Sequence, residues 1–201
     1  MYKSNVDAAY RKTKLQQAGT LEEMVNILAE LPLEFSPGDE WNYSVSTDVL
    51  GYLVEVLSGM KLDEYFKKNI FEPLEMIDTG FSCPEEKKER LASLYEHNPK
   101  SEPRLLEIPF LNTKLLSGGG GLFSTMSDYY NFCSMIIGQG EFKGKRLIGR
   151  KTIELMSCNH LPDGKDLTEM SQSAFSETPY AGVGFGLGFS VMLDPAKSQT
   201  L

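Results

Sequence analysis

Tyr43 is the side chain whose type and context best suit chemistry. It follows the Pro37-Gly38 turn and precedes an apolar-periodic stretch that starts near Ser46, so its phenol can stand at a helix entrance with the hydroxyl facing a cleft. A phenol of pKa about 10 becomes a working base only where nearby cations favour its anion. The commoner fate of such a tyrosine is to pack and hydrogen-bond its hydroxyl, and the residues alone leave both readings open. Ser58-Gly59-Met60-Lys61 has the Ser-x-x-Lys spacing of a nucleophile and its base. A nucleophilic serine should begin a helix, so that serine and lysine share one face and the backbone N–H points into an oxyanion hole. Ser58 stands at a helix end with Gly59 in the stop position, which makes the pair a decoy. The glycine run Ser117 to Gly121 is followed by no Gly-Lys-Ser/Thr, so it is no phosphate loop. It reads as a tight backbone turn against a site. No Gly-x-Ser-x-Gly elbow occurs.

The elements that must position these residues follow from periodicity. Thr20 and Glu23 form a capping box ahead of Leu21, Met24, Val25 and Leu28, one apolar stripe that ends at Leu31-Pro32. A helix is predicted from Ser46 to Ser58, with Val49, Leu50, Leu53, Val54 and Leu57 as its buried stripe. Another runs from about Leu62 to Ile70, turning Leu62, Tyr65, Phe66 and Ile70 inward and stopping before Pro73. Residues 80–110 are charged and weakly periodic, with a strand suggested at Leu91 to Tyr95. Thr125 and Asp128 open a helix carrying Tyr129, Phe132, Cys133 and Ile136, closed by Gly138 and Gly140. A short helix is expected around Lys151 to Ser157, then a polar loop over 161–179. Val183, Phe185, Leu187, Phe189 and Val191 alternate with small residues and read as one strand. A single strand cannot satisfy its own backbone groups, so the pattern implies an incomplete fold.

Composition narrows the function classes. At 201 residues with 41% hydrophobic and 10% aromatic residues, the chain can build a core and is not a disordered segment. Its net charge of -8, with scattered Lys and Arg, argues against a nucleic-acid partner. No stretch approaches the roughly 18 to 20 apolar residues of a membrane span. The N-terminus has no apolar h-region, which leans the reading toward the cytoplasm and leaves the compartment open. The three cysteines, Cys83, Cys133 and Cys158, lack CxxC spacing and suggest neither a disulfide framework nor a zinc site; Cys133 reads as a buried structural thiol. His97 and His160 are the only histidines and lie far apart in sequence, so neither metal nor triad is expected of them.

Three strings carry a resemblance. The first, P-G-x-x-W-x-Y-S, stands at Pro37, Gly38, Trp41, Tyr43 and Ser44. The second, L-G-x-x-V-E-x-x-S-G, stands at Leu50, Gly51, Val54, Glu55, Ser58 and Gly59. The third, I-F-x-P-L-x-M-x-x-T-G-F, runs from Ile70 to Phe81. With S-G-G-G-G-L-F-S-T from Ser117 and Asp128-Tyr129 beyond it, they cover most of residues 35–140 in order. The series resembles the second-motif region of the class C β-lactamase and family VIII carboxylesterase group, with the penicillin-binding-protein fold. That resemblance implies an α+β, β-lactamase/transpeptidase-like fold. Residues 1–201 would be a partial domain, with 20–175 mainly its helical subdomain and 180–193 a strand of its α/β half.

The resemblance also implies acyl-enzyme chemistry by a Ser-x-x-Lys serine, with Tyr43 as general base or proton relay. Trp41, Ser44, Val45, Ser117, Gly118 and Gly119 would line the substrate pocket. Val45 replaces the asparagine found in β-lactamases and cannot hydrogen-bond a β-lactam side-chain amide. This favours ester hydrolysis or acyl transfer over β-lactam hydrolysis or D-alanyl-D-alanine peptidase activity, with a non-catalytic binding protein as the remaining alternative. The first motif is expected upstream of Met1 and the third beyond the late strand, so the 201 residues alone are expected to be inactive. No metal or cofactor is implied, the partner is a small ester or β-lactam-like substrate of the whole protein, and the oligomer is left open.

Overall fold

Capping and burial set the helices that matter. The computed structural model describes residues 5–99, 101–106, 114–170 and 180–199, and they fall into two compact units. One unit takes in residues 14–27 and 46–131, the other residues 1–13, 28–45 and 132–201.

In the first of these, helix α2 (Leu21–Ala29) starts at the expected box, with one arm displaced. The Glu23 N–H donates to Thr20 Oγ1 at 3.1 Å, while the Glu23 carboxylate reaches past Thr20 to the Gly19 N–H at 2.7 Å. Leu21 and Met24 are buried, as their spacing requires. Helix α1 (Asn5–Lys12) precedes it in sequence and belongs to the other unit. Helix α3 (Ser46–Ser58) has the predicted limits and the opposite orientation. Its buried positions are Asp48 and Gly51, while Val49, Leu50, Leu53 and Leu57 are exposed. The reason is steric: a Cβ on Gly51 would lie 3.1 Å from Leu62 and 3.3 Å from Leu21, so the helix approaches its neighbours through its smallest residue.

Helix α4 (Leu62–Phe66) gives way to one π-turn over Lys67–Phe71, ahead of Pro73, where an unbroken helix to Ile70 was expected. Leu62 and Leu74 are fully buried there. Leu21, Leu62 and Phe81 form a core with Tyr52, Val54, Phe66, Leu115 and Leu116 packed on it. The strand suggested at Leu91 to Tyr95 is shifted to β1 (Leu94–Glu96), antiparallel to β2 (Arg104–Leu106).

Helix α5 (Met126–Ile137) begins at Thr125, whose hydroxyl accepts the Asp128 N–H at 3.2 Å. It buries Asp128 and Met135, leaves Cys133 half-buried and exposes Tyr129, so its predicted stripe is rotated. A hairpin follows, β3 (Glu141–Phe142) with β4 (Lys145–Arg146), then α6 (Arg150–Met156). Within 161–179, read as loop, α7 (Leu167–Met170) buries both its ends. Asp166 and Glu169 cap it reciprocally, each backbone N–H bonded to the other's carboxylate at 3.0 Å. Residues 171–179 of that loop lie outside the described residues.

The late strand is two strands. β5 (Val183–Phe185) and β6 (Ser190–Met192) pair antiparallel across a turn containing Gly188 at φ 93°. β5 finds its other partners in the exit of α6: Phe185 O accepts the His160 N–H at 2.8 Å, and Asn159 Oδ1 accepts the Phe185 N–H at 3.0 Å. Gly184 is required there, because a Cβ would overlap the Asn159 side-chain amide. No helix among the described residues is long and apolar enough to cross a membrane.

Candidate active site

Tyr43 lies in the segment between the Pro37-Gly38 turn and α3, with its side chain 64% exposed. Gly38, at φ 97°, makes the turn that brings the chain into this segment. Trp41, two residues before Tyr43, anchors it. The Trp41 N–H donates to Met170 O at 3.3 Å, and the indole meets Phe185 edge-on with ring centres 5.4 Å apart. Leu161, Leu167, Met170 and Val183 form the core on which Trp41 and Phe185 pack. Such a fixed aromatic limits where its near neighbours in sequence can go. Ser44 is exposed and Val45 half-buried.

Three of the expected pocket residues meet at the amino end of α3. Ser117 Oγ donates to Asp48 Oδ1 at 2.6 Å, and the Gly119 N–H donates back to Ser117 Oγ at 3.1 Å. Gly118 sits so close to α3 that a Cβ would overlap the Thr47 carbonyl oxygen, and a Cβ on Gly119 would lie 2.8 Å from Thr47 Oγ1. The glycine run is therefore a close-approach surface fitted to the first turn of the helix that follows Tyr43-Ser44-Val45. Asp48, buried to 6% exposure, is the residue sequence reasoning overlooked. Its signal was an acidic residue in a helix's first turn, where the unpaired N–H groups favour negative charge.

The far end of the glycine run is held by a second aspartate. Gly80 and Phe123 exchange backbone hydrogen bonds of 3.1 and 2.8 Å, so the Thr-Gly-Phe at 79–81 pairs with the exit of the run. Asp128 Oδ2 accepts both the Asp78 N–H and the Thr79 hydroxyl at 2.8 Å. Asp78 itself lies between Lys87 at 2.6 Å and Arg90 at 2.8 Å. The Arg90 guanidinium first, and the Lys87 ammonium second, hold its carboxyl down to about 2.

Ser58 and Lys61 make no nucleophile pair. Ser58 is the last residue of α3 and its Oγ accepts the Met60 N–H at 3.2 Å, while Gly59 takes φ 68°. Lys61 Nζ lies 3.5 Å from Glu55 Oε2, and Glu55 Oε1 accepts the Leu62 N–H at 3.0 Å. Two cavities, about 680 and 280 Å³, are lined by residues within 63–82 and within 67–91 and 123–125, and neither lining includes an expected site residue. His160 is spent structurally, with Nε2 bonded to Leu155 O at 2.7 Å.

A family model described as Beta-lactamase matches residues 2–199. The chain belongs to the β-lactamase family. Protein Rv1367c of Mycobacterium tuberculosis is 34% identical over 183 residues, covering 87% of this chain and 43% of that protein. Esterase EstB of Burkholderia gladioli is 29% identical over 201 residues, covering 90% of this chain and 46% of its own length. Among solved structures, EstCE1, described as a hydrolase with promiscuous acyltransferase activity, superposes with a TM-score of 0.68. It is 26% identical, covering 89% of this chain and 47% of that one. The fold is thus α+β and β-lactamase/transpeptidase-like, and the chain spans about half the length of the β-lactamase-family relatives it matches.

Proposed function

We propose that the whole protein is a serine hydrolase of carboxylesterase type, working through an acyl-enzyme, with Tyr43 as its general base or proton relay. The observation that carries this is Tyr43 itself: an exposed phenol directly ahead of a helix whose first turn is fixed by Asp48 and the glycine run. Val45 offers no amide to a β-lactam side chain, and EstB and EstCE1 carry ester-cleaving and acyl-transfer descriptions.

In the proposed cycle a serine oxygen, from a Ser-x-x-Lys outside these residues, attacks the ester carbonyl as its proton passes to Tyr43. The carbon–oxygen bond to the leaving alcohol breaks and the alcohol takes that proton from Tyr43. Water or a second alcohol then repeats the steps in reverse order to release the acyl group. Trp41, Ser44 and Val45 around Tyr43, and in their own unit Ser117, Gly118 and Gly119, are the substrate-binding residues in this reading. Residues 20–175 supply the helical subdomain and 180–193 belong to the α/β half.

With no Ser-x-x-Lys at a helix start to attack, the 201 residues alone should turn over at about 10⁻⁶ of the whole protein's rate or less. The test is turnover of p-nitrophenyl butyrate and nitrocefin by this chain, by the whole protein and by its Tyr43→Phe variant. The expected result is ester turnover by the whole protein only, abolished in Tyr43→Phe. Hydrolysis by the bare 201 residues would return Ser58 and Lys61 to candidacy, and nitrocefin outpacing the ester would reverse the order of substrates.

A further inference from the structure

Two adjoining cavities in one compact unit carry opposite charge. Both are lined by Lys67, Ile77, Thr79, Gly80 and Ser82, which form their common wall. The larger, of about 680 Å³, sets Asp63, Glu64, Glu72 and Glu75 against Lys67 alone. The smaller, of about 280 Å³, sets Lys67, Lys87 and Arg90 against Asp78. Three cations against one carboxylate leave two positive charges there, in a chain whose net charge is -8. A concave site of one sign with apolar walls, here Leu91 and Phe123, concentrates ions of the other sign. Two of the cations are fixed by Asp78. Its Oδ1 meets Lys87 Nζ at 2.6 Å and its Oδ2 meets Arg90 Nη2 at 2.8 Å, while Lys87 Nζ also donates to Ile77 O at 3.0 Å. Each Asp78 oxygen thus has its cation, and Arg90 keeps the rest of its fork of N–H donors. The Lys67 ammonium and the Ser82 hydroxyl have no hydrogen bond or ion pair among the described residues. Lys67 also opens the π-turn over Lys67–Phe71, a departure from α-helical geometry that recurs at functional sites.

We propose that the smaller cavity binds a phosphate group, free or carried on a small molecule, through Lys67 and Arg90, with Lys87 and the Ser82 hydroxyl beside them. A phosphate at neutral pH carries close to two negative charges, which matches the surplus in the lining. Its oxygens accept from ammonium, guanidinium and hydroxyl donors together, which matches the donor set. A single carboxylate would neutralise only half of that charge. The four carboxylates of the larger cavity repel an anion from that side, so the smaller cavity takes it. Its volume lies below the ~300–1,000 Å³ of drug-sized ligand sites, which suits a small solute. The site does not depend on Tyr43 or on the esterase reading, so either can fail without the other.

The test is calorimetric titration of the whole protein with inorganic phosphate, methyl phosphate and acetate, at neutral pH and fixed ionic strength. It is repeated on Lys67→Gln, Lys67→Glu and Lys68→Glu. Lys68 is exposed and lines neither cavity, so Lys68→Glu makes the same charge change as Lys67→Glu away from the site. Saturable binding of either phosphate is expected, the tighter of the two naming the source. Lys67→Gln should weaken it about 10-fold, the worth of one hydrogen bond to a charged group, and Lys67→Glu should abolish it. Lys68→Glu should bind as the wild type does. Absence of saturable phosphate binding overturns the proposal, as does acetate binding as tightly as phosphate. Equal weakening by Lys67→Glu and Lys68→Glu overturns it too, by assigning the effect to net charge instead of the cavity.

Discussion

Helices α2 and α3 carry apolar residues at the same spacing and use them in opposite ways. In α2 the stripe begins at the first helical residue, and Leu21 and Met24 go straight into the core. In α3 the inward face is Asp48, Gly51 and Glu55, at i, i+3 and i+7, with Val54 beside it on the core, while Val49, Leu50, Leu53, Val56 and Leu57 look outward. The difference lies in what each face meets. α2 meets side chains such as Leu62 and Phe81, which reward hydrophobic burial. α3 meets the same side chains at Gly51 but also backbone, the glycine run at Gly118 and the Leu62 N–H, which demand a small residue and hydrogen-bonding groups. Apolar periodicity thus reports that a helix has a buried face in the finished protein, without saying which partner buries it.

The largest expected effect separates these two helices. Leu21 is 2% exposed, so Leu21→Ala should cost the 201-residue chain about 3 kcal/mol in a urea titration. Leu57, 78% exposed, should change it by about 0.5 kcal/mol or less on the same substitution. A Leu57→Ala cost approaching that of Leu21→Ala would mean that α3 buries its aliphatic face within these residues, and the contrast would collapse.

A smaller effect probes the polar face of α3. Asp48→Ala strands the Ser117 hydroxyl and should cost about 2 kcal/mol, whereas Asp48→Asn keeps an acceptor oxygen and should cost less. The double variant with Ser117→Ala should recover about 1 kcal/mol of coupling, since the two changes remove one interaction. Additive costs would show that the glycine run is held by close approach at Gly118 alone. In the whole protein the same Asp48 variants bear on substrate turnover, because the run they release supplies proposed substrate-binding residues.

Much of this is legible in the sequence. Helix starts were marked by side chains that satisfy orphan N–H groups, so Thr20, Thr125 and the limits of α3 were readable. The motif series placed the fold through Tyr43, the Thr79 to Phe81 segment and the glycine run, and the last two do meet, through Gly80 and Phe123. What stayed hidden was long-range. Asp48 and Ser117 are far apart in sequence, and nothing local says that an aspartate in a first turn will be buried rather than solvated. The hairpin β5–β6 was read as one strand because Gly186 to Gly188 keep the alternation while the backbone turns. Helix α7 was missed although Asp166 and Glu169 carry a box signal, because four residues are too few to show a period.

The smallest effect tests the second aspartate-held junction, at the start of α5, against the first. Asp78 is held down to about 2 by Arg90 and Lys87, from an ordinary value of roughly 3.9. A carboxyl whose folded value is depressed binds protons less readily folded than unfolded. Its contribution is therefore complete above about pH 4 and is lost as the pH falls through about 2. Asp78→Asn keeps the backbone N–H that Asp128 accepts and removes only the charge, so it separates the ion pairs from the junction itself. The measurement is the urea midpoint of both proteins from about pH 6 to about pH 2, where linkage operates. Wild type should be the more stable near neutrality, and the gap should close below about pH 4. It should be modest, because the Arg90 side chain is 59% exposed and solvent screens its attraction. A gap that persists undiminished into acid would assign the stabilisation to packing at Asp78, leaving Asp128 and its two 2.8 Å bonds to hold the start of α5.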